Sequence, residues 1–149
     1  MMDTCRMEKG FRHFGHDITS EDHVLEAGLG FAVKTDKPDF IGRDAVLRKR
    51  ETGLTQRLVQ FKLTDPEPLL YHNEPILRDG KVCGYLSSGG YGHHVGAAIG
   101  MGYVPCNEAG EKVADMLAST YEIDIMGRRV KAEAQLKPFY DPKGERAKA

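Results

Sequence analysis

Three groups of residues in this sequence have types and spacings that could do chemistry. The first is His13, His16, Asp17, Asp22 and His23. Imidazole and carboxylate together can ligate zinc or iron. The stretch that carries them is interrupted by Gly15, so they do not share one face of a stable helix, and a solvated loop is the simpler reading. The second is Ser87-Ser88-Gly89-Gly90, whose backbone N–H groups could cradle an anion. No Lys-Ser/Thr follows it at phosphate-loop spacing. His93 and His94 come next, in a turn, and extended backbone sends neighbouring rings to opposite sides, so only one of them could join a site. The third is Arg6, Glu8 and Lys9, on a short helix of alternating charge. Arg6 could take a carboxylate through two parallel hydrogen bonds, and a solvated helix face is the plainer alternative. No Gly-x-Gly-x-x-Gly opens a helix after a strand, and no Gly-x-Ser-x-Gly elbow is present.

The elements that must position these groups centre on Val82 to Asn107, a run with no Asp, Glu, Lys or Arg. Its seven glycines and two adjacent histidines exclude a membrane helix. It reads as two buried strands: Val82 to Leu86 goes in, Ser87 to Gly92 turns, and Val95 to Val104 returns. Upstream, Asp3 to Lys9 reads as a helix with Asp3 as N-cap and Gly10 as stop. Leu29 to Lys34 reads as a strand, and Gly42 to Glu51 as an amphipathic helix stopped by Gly53. After Gly53 the period changes to two. Leu58 to Leu63 is a half-buried strand, and Pro75 to Val82 is a hairpin about Asp79-Gly80. Tyr121 to Met126 and Val130 to Leu136 flank a Gly127-Arg128-Arg129 turn. The expected class is mainly β: a six-stranded antiparallel barrel or jelly roll over residues 56–140, preceded by an incomplete α+β segment over residues 1–55. Residues 141–149 read as a mobile charged tail.

At 149 residues, 40% hydrophobic and 29% charged, the chain has an ordinary globular composition. A net charge of −1 offers no general attraction to nucleic acid or anionic lipid. Cys5, Cys83 and Cys106 are odd in number and far apart, which favours a reduced, cytoplasmic setting over a disulfide framework. A short helix opening the chain with nothing before it to pack on points to a cut fragment.

Composition and period name no reaction; the motifs do. Arg6-Met7-Glu8-Lys9-Gly10, the His16-Asp17-Ile18 stretch, Leu25-Glu26-Ala27-Gly28-Leu29 and Asp39-Phe40-Ile41-Gly42-Arg43-Asp44-Ala45 resemble the C-terminal part of the glycine cleavage T-protein superfamily. So do Arg57-Leu58-Val59, Ser87-Ser88-Gly89, Met101-Gly102-Tyr103-Val104-Pro105 and Lys137-Pro138-Phe139-Tyr140. Glu8 to Arg12, the Asp36 to Phe40 loop and Leu136 to Pro142 resemble the sarcosine and dimethylglycine dehydrogenase branch, flavoenzymes with a T-protein-like C-terminal half. The resemblance implies that an N-terminal FAD domain oxidises a small N-methyl amine to an iminium. It also implies that the T-protein-like half captures the one-carbon unit on tetrahydrofolate. Residues 1–55 would end a folate-binding domain, and residues 56–140 would be the C-terminal barrel.

The family's catalytic Asp and the flavin fingerprint are expected upstream, so the resemblance assigns no catalytic residue here and implies that the isolated chain is inactive. It implies folate contacts at Arg6, Glu8, His16, Asp17 and Tyr140. One arginine of the family's folate site falls where Met2 stands, so that contact does not carry over. Two other readings stay open: a T-protein aminomethyltransferase acting on a lipoyl carrier, and a non-catalytic barrel that docks subunits.

Overall fold

The computed structural model describes residues 2–146 and 148. Its frame is a closed six-stranded barrel, every neighbouring pair antiparallel. The strands are β1 (Gln56–Leu63), β2 (Pro75–Arg78), β3 (Lys81–Gly92), β4 (Ala97–Pro105), β5 (Tyr121–Ile125) and β6 (Arg128–Gln135). Their order round the barrel is β1-β4-β3-β2-β5-β6, closed by β6 pairing back onto β1. Closure leaves no free sheet edge. Helices α1 (Met2–Glu8) and α2 (Arg43–Thr52) precede the barrel, and α3 (Val113–Ala118) lies between β4 and β5.

The period-two pattern of β1 works as its sequence requires. Val59, Phe61 and Leu63 point into the barrel with Ile76, Leu86, Ala98, Val104, Tyr121 and Ile123. Each of the Val, Leu, Ile and Phe side chains contributes about 1.5–3 kcal/mol by leaving water. The alternate residues of β1 and β4 are not solvated. Leu58, Ile99 and Met101 form a second cluster with Met7 of α1, outside the barrel wall. β4 is therefore buried on both faces, and this double burial explains why the stretch around it carries no charge.

α1 ends as its sequence signals. Gly10 has φ +67°, its N–H reaches Met7 O at 2.9 Å, and the Phe11 N–H reaches Arg6 O at 2.8 Å, the paired bonds of a glycine-terminated helix. Asp3, however, lies inside the helix instead of capping it, and its carboxylate pairs with Arg6 at 3.0 Å.

Three other expectations are corrected. Leu29 to Lys34 is not a strand: residues 30–32 form a single 3-10 turn with Phe31 exposed. A closed barrel has no edge left for this apolar run to pair with. Ser87 to Gly92 is strand, not turn, and the reversal falls on residues 93–96, where Gly96 has φ +73°. Gly89 stays in the strand because the backbone of Tyr71 crosses it; a Cβ there would sit 2.7 Å from Tyr71 N and O. The last hairpin turns on Met126-Gly127, with φ +54° and +87°, so Arg128 already belongs to β6 opposite Ile125. The α3 helix carries no capping or periodic signal long enough to read. It forms because Met116 is fully buried in the barrel core.

Among the described residues no helix is long and apolar enough to cross a membrane.

Candidate functional site

β3 is the platform on which the N-terminal segment is built. α1 packs across β3 and β4, and two polar clusters join it to the sheet, one on β3 and one on the turn between β3 and β4.

The first cluster is centred on Asp17, which has no exposed surface. Its Oδ2 accepts from Arg6 Nη1 at 2.8 Å and from the His13 N–H at 2.9 Å. Its Oδ1 accepts from the Ser87 hydroxyl in a short bond. Arg6 also donates to Asp3, to Phe11 O and, through Nη2, to Ser88 Oγ at 3.0 Å. Four of its five N–H donors are thus used within the chain.

The second cluster is centred on Glu8, 2% exposed. Its Oε1 accepts the backbone N–H groups of His94 (2.6 Å) and Val95 (3.2 Å), and its Oε2 lies 2.9 Å from His94 Nδ1. Burial pushes this carboxyl up, but the hydrogen bonds from His94 and Val95 outweigh it and hold it below the usual range. The Tyr140 ring lies 4.5 Å from the His94 ring, and the Tyr140 N–H reaches Glu8 O at 3.3 Å. The following residue, Asp141, pairs with Lys9 at 2.8 Å.

Between α1 and β3 opens a cleft of about 260 Å³ lined by Arg6, His13, His16, Tyr71, His72 and Ser87 to Gly89, among others. His13 and His16 meet edge to face at 4.8 Å.

The five residues singled out from the sequence therefore divide. Arg6 and Asp17 bond each other, and Glu8 and Tyr140 meet through His94. His16 stands exposed at the cleft. Sequence reasoning left out Tyr71 and His72, which Gly89 admits, and set His94 aside as a surface turn. The signal for His94 was the buried glutamate eighty-six residues earlier, which the sequence alone does not place opposite it. The remaining members of the histidine–carboxylate group go elsewhere. Asp22 accepts from Thr19, and His23 Nδ1 accepts the Leu25 N–H. Among the described residues no three His, Cys, Asp or Glu side chains are set to hold a metal.

A third polar group anchors the segment to β1. Glu26 Oε1 accepts from Lys49 at 2.8 Å and from the Thr55 N–H and hydroxyl. Burial raises this carboxyl, but those bonds outweigh it and bring it down to about 2. A depressed carboxyl stabilises the fold above its unfolded pKa and loses that contribution as pH falls through the folded value. Thermal unfolding between pH 5 and pH 2 is expected to show a stability loss that Glu26→Gln partly removes. An unchanged pH slope in the variant would contradict this.

Residues 56–141 match the glycine cleavage T-protein C-terminal barrel domain, and residues 1–37 match the GCVT N-terminal domain. Over 97% of its length the chain is 42% identical to 4-methylaminobutanoate oxidase (formaldehyde-forming) of Paenarthrobacter nicotinovorans, of which it covers 17%. Over 99% of its length it is 36% identical to the mitochondrial sarcosine dehydrogenase of Homo sapiens, of which it covers 16%. It spans about a sixth of either relative. The crystal structure of the glycine cleavage system aminomethyltransferase T from Bartonella henselae superposes with a TM-score of 0.79 at 25% identity, over 94% of this chain and 38% of that one.

Proposed function

The chain belongs to the glycine cleavage T-protein C-terminal barrel domain family, and from that premise we propose that it is the C-terminal, folate-facing part of an FAD-dependent enzyme that oxidises small N-methyl amino acids of the sarcosine or dimethylglycine type. The observation that carries this reading is the extent of the similarity. Identity of 42% and 36% runs through the α1 segment as well as the barrel, in two proteins whose names specify oxidation of an N-methylamino acid. In this reading residues 1–55 complete a folate-binding domain, residues 56–140 are its barrel neighbour, and 141–149 is a tail.

The residues present fit one edge of a folate. Tyr71, His13 and His16 offer flat faces, Ser87 and Ser88 offer hydroxyls, and Arg6 keeps one free N–H after its four internal bonds. A cleft of about 260 Å³ is smaller than the ~300–1,000 Å³ of pockets that enclose ligands of that size, so this chain supplies one wall. Asp17 and Ser88 hold the Arg6 guanidinium still, and Glu8 holds the His94–Tyr140 pair. Tetrahydrofolate, when bound, would supply the nitrogens that take up the one-carbon unit. Asp17 and Glu8 act by positioning, since each carboxylate is already occupied by internal donors. FAD does not fit this chain. The glycines of the uncharged run lie in β3, β4 and the turn joining them, and none opens a helix after a strand. FAD is therefore assigned to the rest of the parent protein.

The whole natural gene product is expected to have a mass well above this chain and a flavin absorbance spectrum. It should oxidise sarcosine, dimethylglycine or 4-methylaminobutanoate and release less free formaldehyde when tetrahydrofolate is supplied. A colourless product that oxidises none of the three overturns the reading. The structural likeness to aminomethyltransferase T favours one alternative, an aminomethyltransferase, and stable complex formation with a lipoyl carrier protein would select it.

A further inference from the structure

A second cavity, lined by other residues than the folate-facing cleft, lies where the N-terminal segment crosses β1. Its volume is about 180 Å³, and its walls are Arg12, Leu25, Glu26, Gly28, Arg57, Leu58 and Leu136. Two of these are arginines, and neither has a carboxylate within ion-pair distance among the described residues, although Arg12 feels the charge of Asp17. Arg12 donates only to main-chain carbonyls, Nε to Ala27 O at 3.1 Å and Nη1 to Gly10 O. Its Nη2 lies so close to Gly28 that a Cβ there would approach to 2.7 Å, so glycine at this position keeps the room the guanidinium occupies. Arg57 has no hydrogen bond or ion pair among the described residues, and its Nε is wholly buried and unpartnered. Tyr103, which is close enough to Arg12 to feel its charge, also buries its hydroxyl without a partner.

Buried polar donors are normally satisfied, and the Arg57 Nε is not, although both arginine side chains are only partly shielded from water. The acidic group in the wall does not answer this need. Glu26 is held by Lys49 and Thr55, so the two arginines remain in excess. The unpartnered Nε calls for an acceptor, and a guanidinium is best matched by a carboxylate that can take two parallel bonds. Leu25, Leu58 and Leu136 form the apolar part of the lining. They suit a short aliphatic tail and disfavour an anion that is polar all round, such as phosphate.

We propose that the Arg12–Arg57 cavity is a binding site for a short aliphatic monocarboxylate. Its carboxylate bridges the two guanidinium groups and its tail lies against Leu25, Leu58 and Leu136. The site is separate from the cleft between α1 and β3, and the proposal stands whether or not the parent protein uses folate.

Butyrate is a suitable probe. Thermal unfolding and titration calorimetry of this chain are expected to show saturable binding of sodium butyrate beyond the effect of sodium chloride at equal ionic strength, with inorganic phosphate weaker. Arg57→Gln removes the charge-assisted bonds and is expected to weaken binding at least about tenfold. Leu136→Phe fills the cavity from its apolar side while keeping both arginines. It is expected to abolish butyrate binding with the circular dichroism spectrum unchanged, and it decides the matter if Arg57→Gln does not fold. Equal responses to butyrate and chloride, or wild-type binding by both variants, overturn the proposal. A response by this chain but not by the whole gene product also overturns a free ligand, and assigns the cavity to a carboxylate side chain of the longer polypeptide.

Discussion

Replacing Glu111 with alanine is expected to destabilise the chain by about 3–5 kcal/mol, the usual cost of removing one partner of a buried ion pair. Arg78 and Glu111 are each 7% exposed and meet through two bonds, Nη2 to Oε1 at 2.6 Å and Nη1 to Oε2 at 3.1 Å. Arg78 also donates to Ser119 Oγ and Pro105 O, and Glu111 accepts from the Asn107 main chain and side chain. The pair thus ties the end of β2 to the loop after β4 and to the C-terminus of α3, closing one mouth of the barrel. The Arg78 hydrogen bond dominates the Glu111 carboxyl and holds it below its usual range. Losing it strands a guanidinium away from water. A fall in Tm of roughly 10 °C is expected in calorimetry. The double variant Arg78→Met/Glu111→Leu should recover most of the loss, because it leaves no unpaired charge. A single variant within about 1 kcal/mol of wild type would show that water reaches Arg78 and that the pair is not the seal described here.

Asp17→Ala is the second large effect, and it should be local as well as costly. The carboxylate has three donors, from Arg6, His13 and Ser87, which belong to α1, the following loop and β3. Removing it leaves Arg6 with Asp3 as its sole carboxylate partner, and Asp3 is largely exposed. A loss of about 2–4 kcal/mol is expected, below the value for a fully sealed pair because Arg6 retains some contact with water. Hydrogen exchange gives the sharper test. Amides of residues 11–18 should lose protection while those of β1, β4 and β6 keep theirs. Asp17→Asn keeps the shape and one acceptor oxygen, so it should fall between wild type and alanine. Uniform loss of protection across the barrel would mean that the N-terminal segment and the barrel unfold as one unit, against the separable clamp inferred from these bonds.

Much of the scaffold was legible in the residue pattern. Alternation in Leu58 to Leu63, the Asp79-Gly80 hairpin and the two last strands reported a barrel because burial of one face imposes a period of two. Gly10 and Gly53 marked helix ends because positive φ is cheap only without a Cβ. The pattern failed where burial came from outside the sheet. Ser87 to Gly92 looked like a turn because its glycines and serines lack strand propensity. In the fold they are the strand over which the Tyr71 backbone and Glu8 pass closely. Leu29 to Lys34 looked like a strand because it is apolar, and the closed barrel gives it no neighbour.

The candidate site divides in the same way. Arg6, Glu8, His16, Asp17 and Tyr140 could be singled out in one dimension because the family resemblance implies contacts there. Their partners could not be. Asp17 meets Ser87 and Glu8 meets His94 across separations of seventy and eighty-six residues, and Arg12 comes to share a cavity with Arg57. Local sequence determined the strands, the turns and the residue types, since these follow from periodicity and backbone freedom over a few neighbours. Only the tertiary structure decided which carboxylates are already occupied and which guanidinium is left without a partner. Hydrogen bonding of a buried charge depends on what the rest of the chain brings within about 3 Å of it, and no spacing along the chain encodes that.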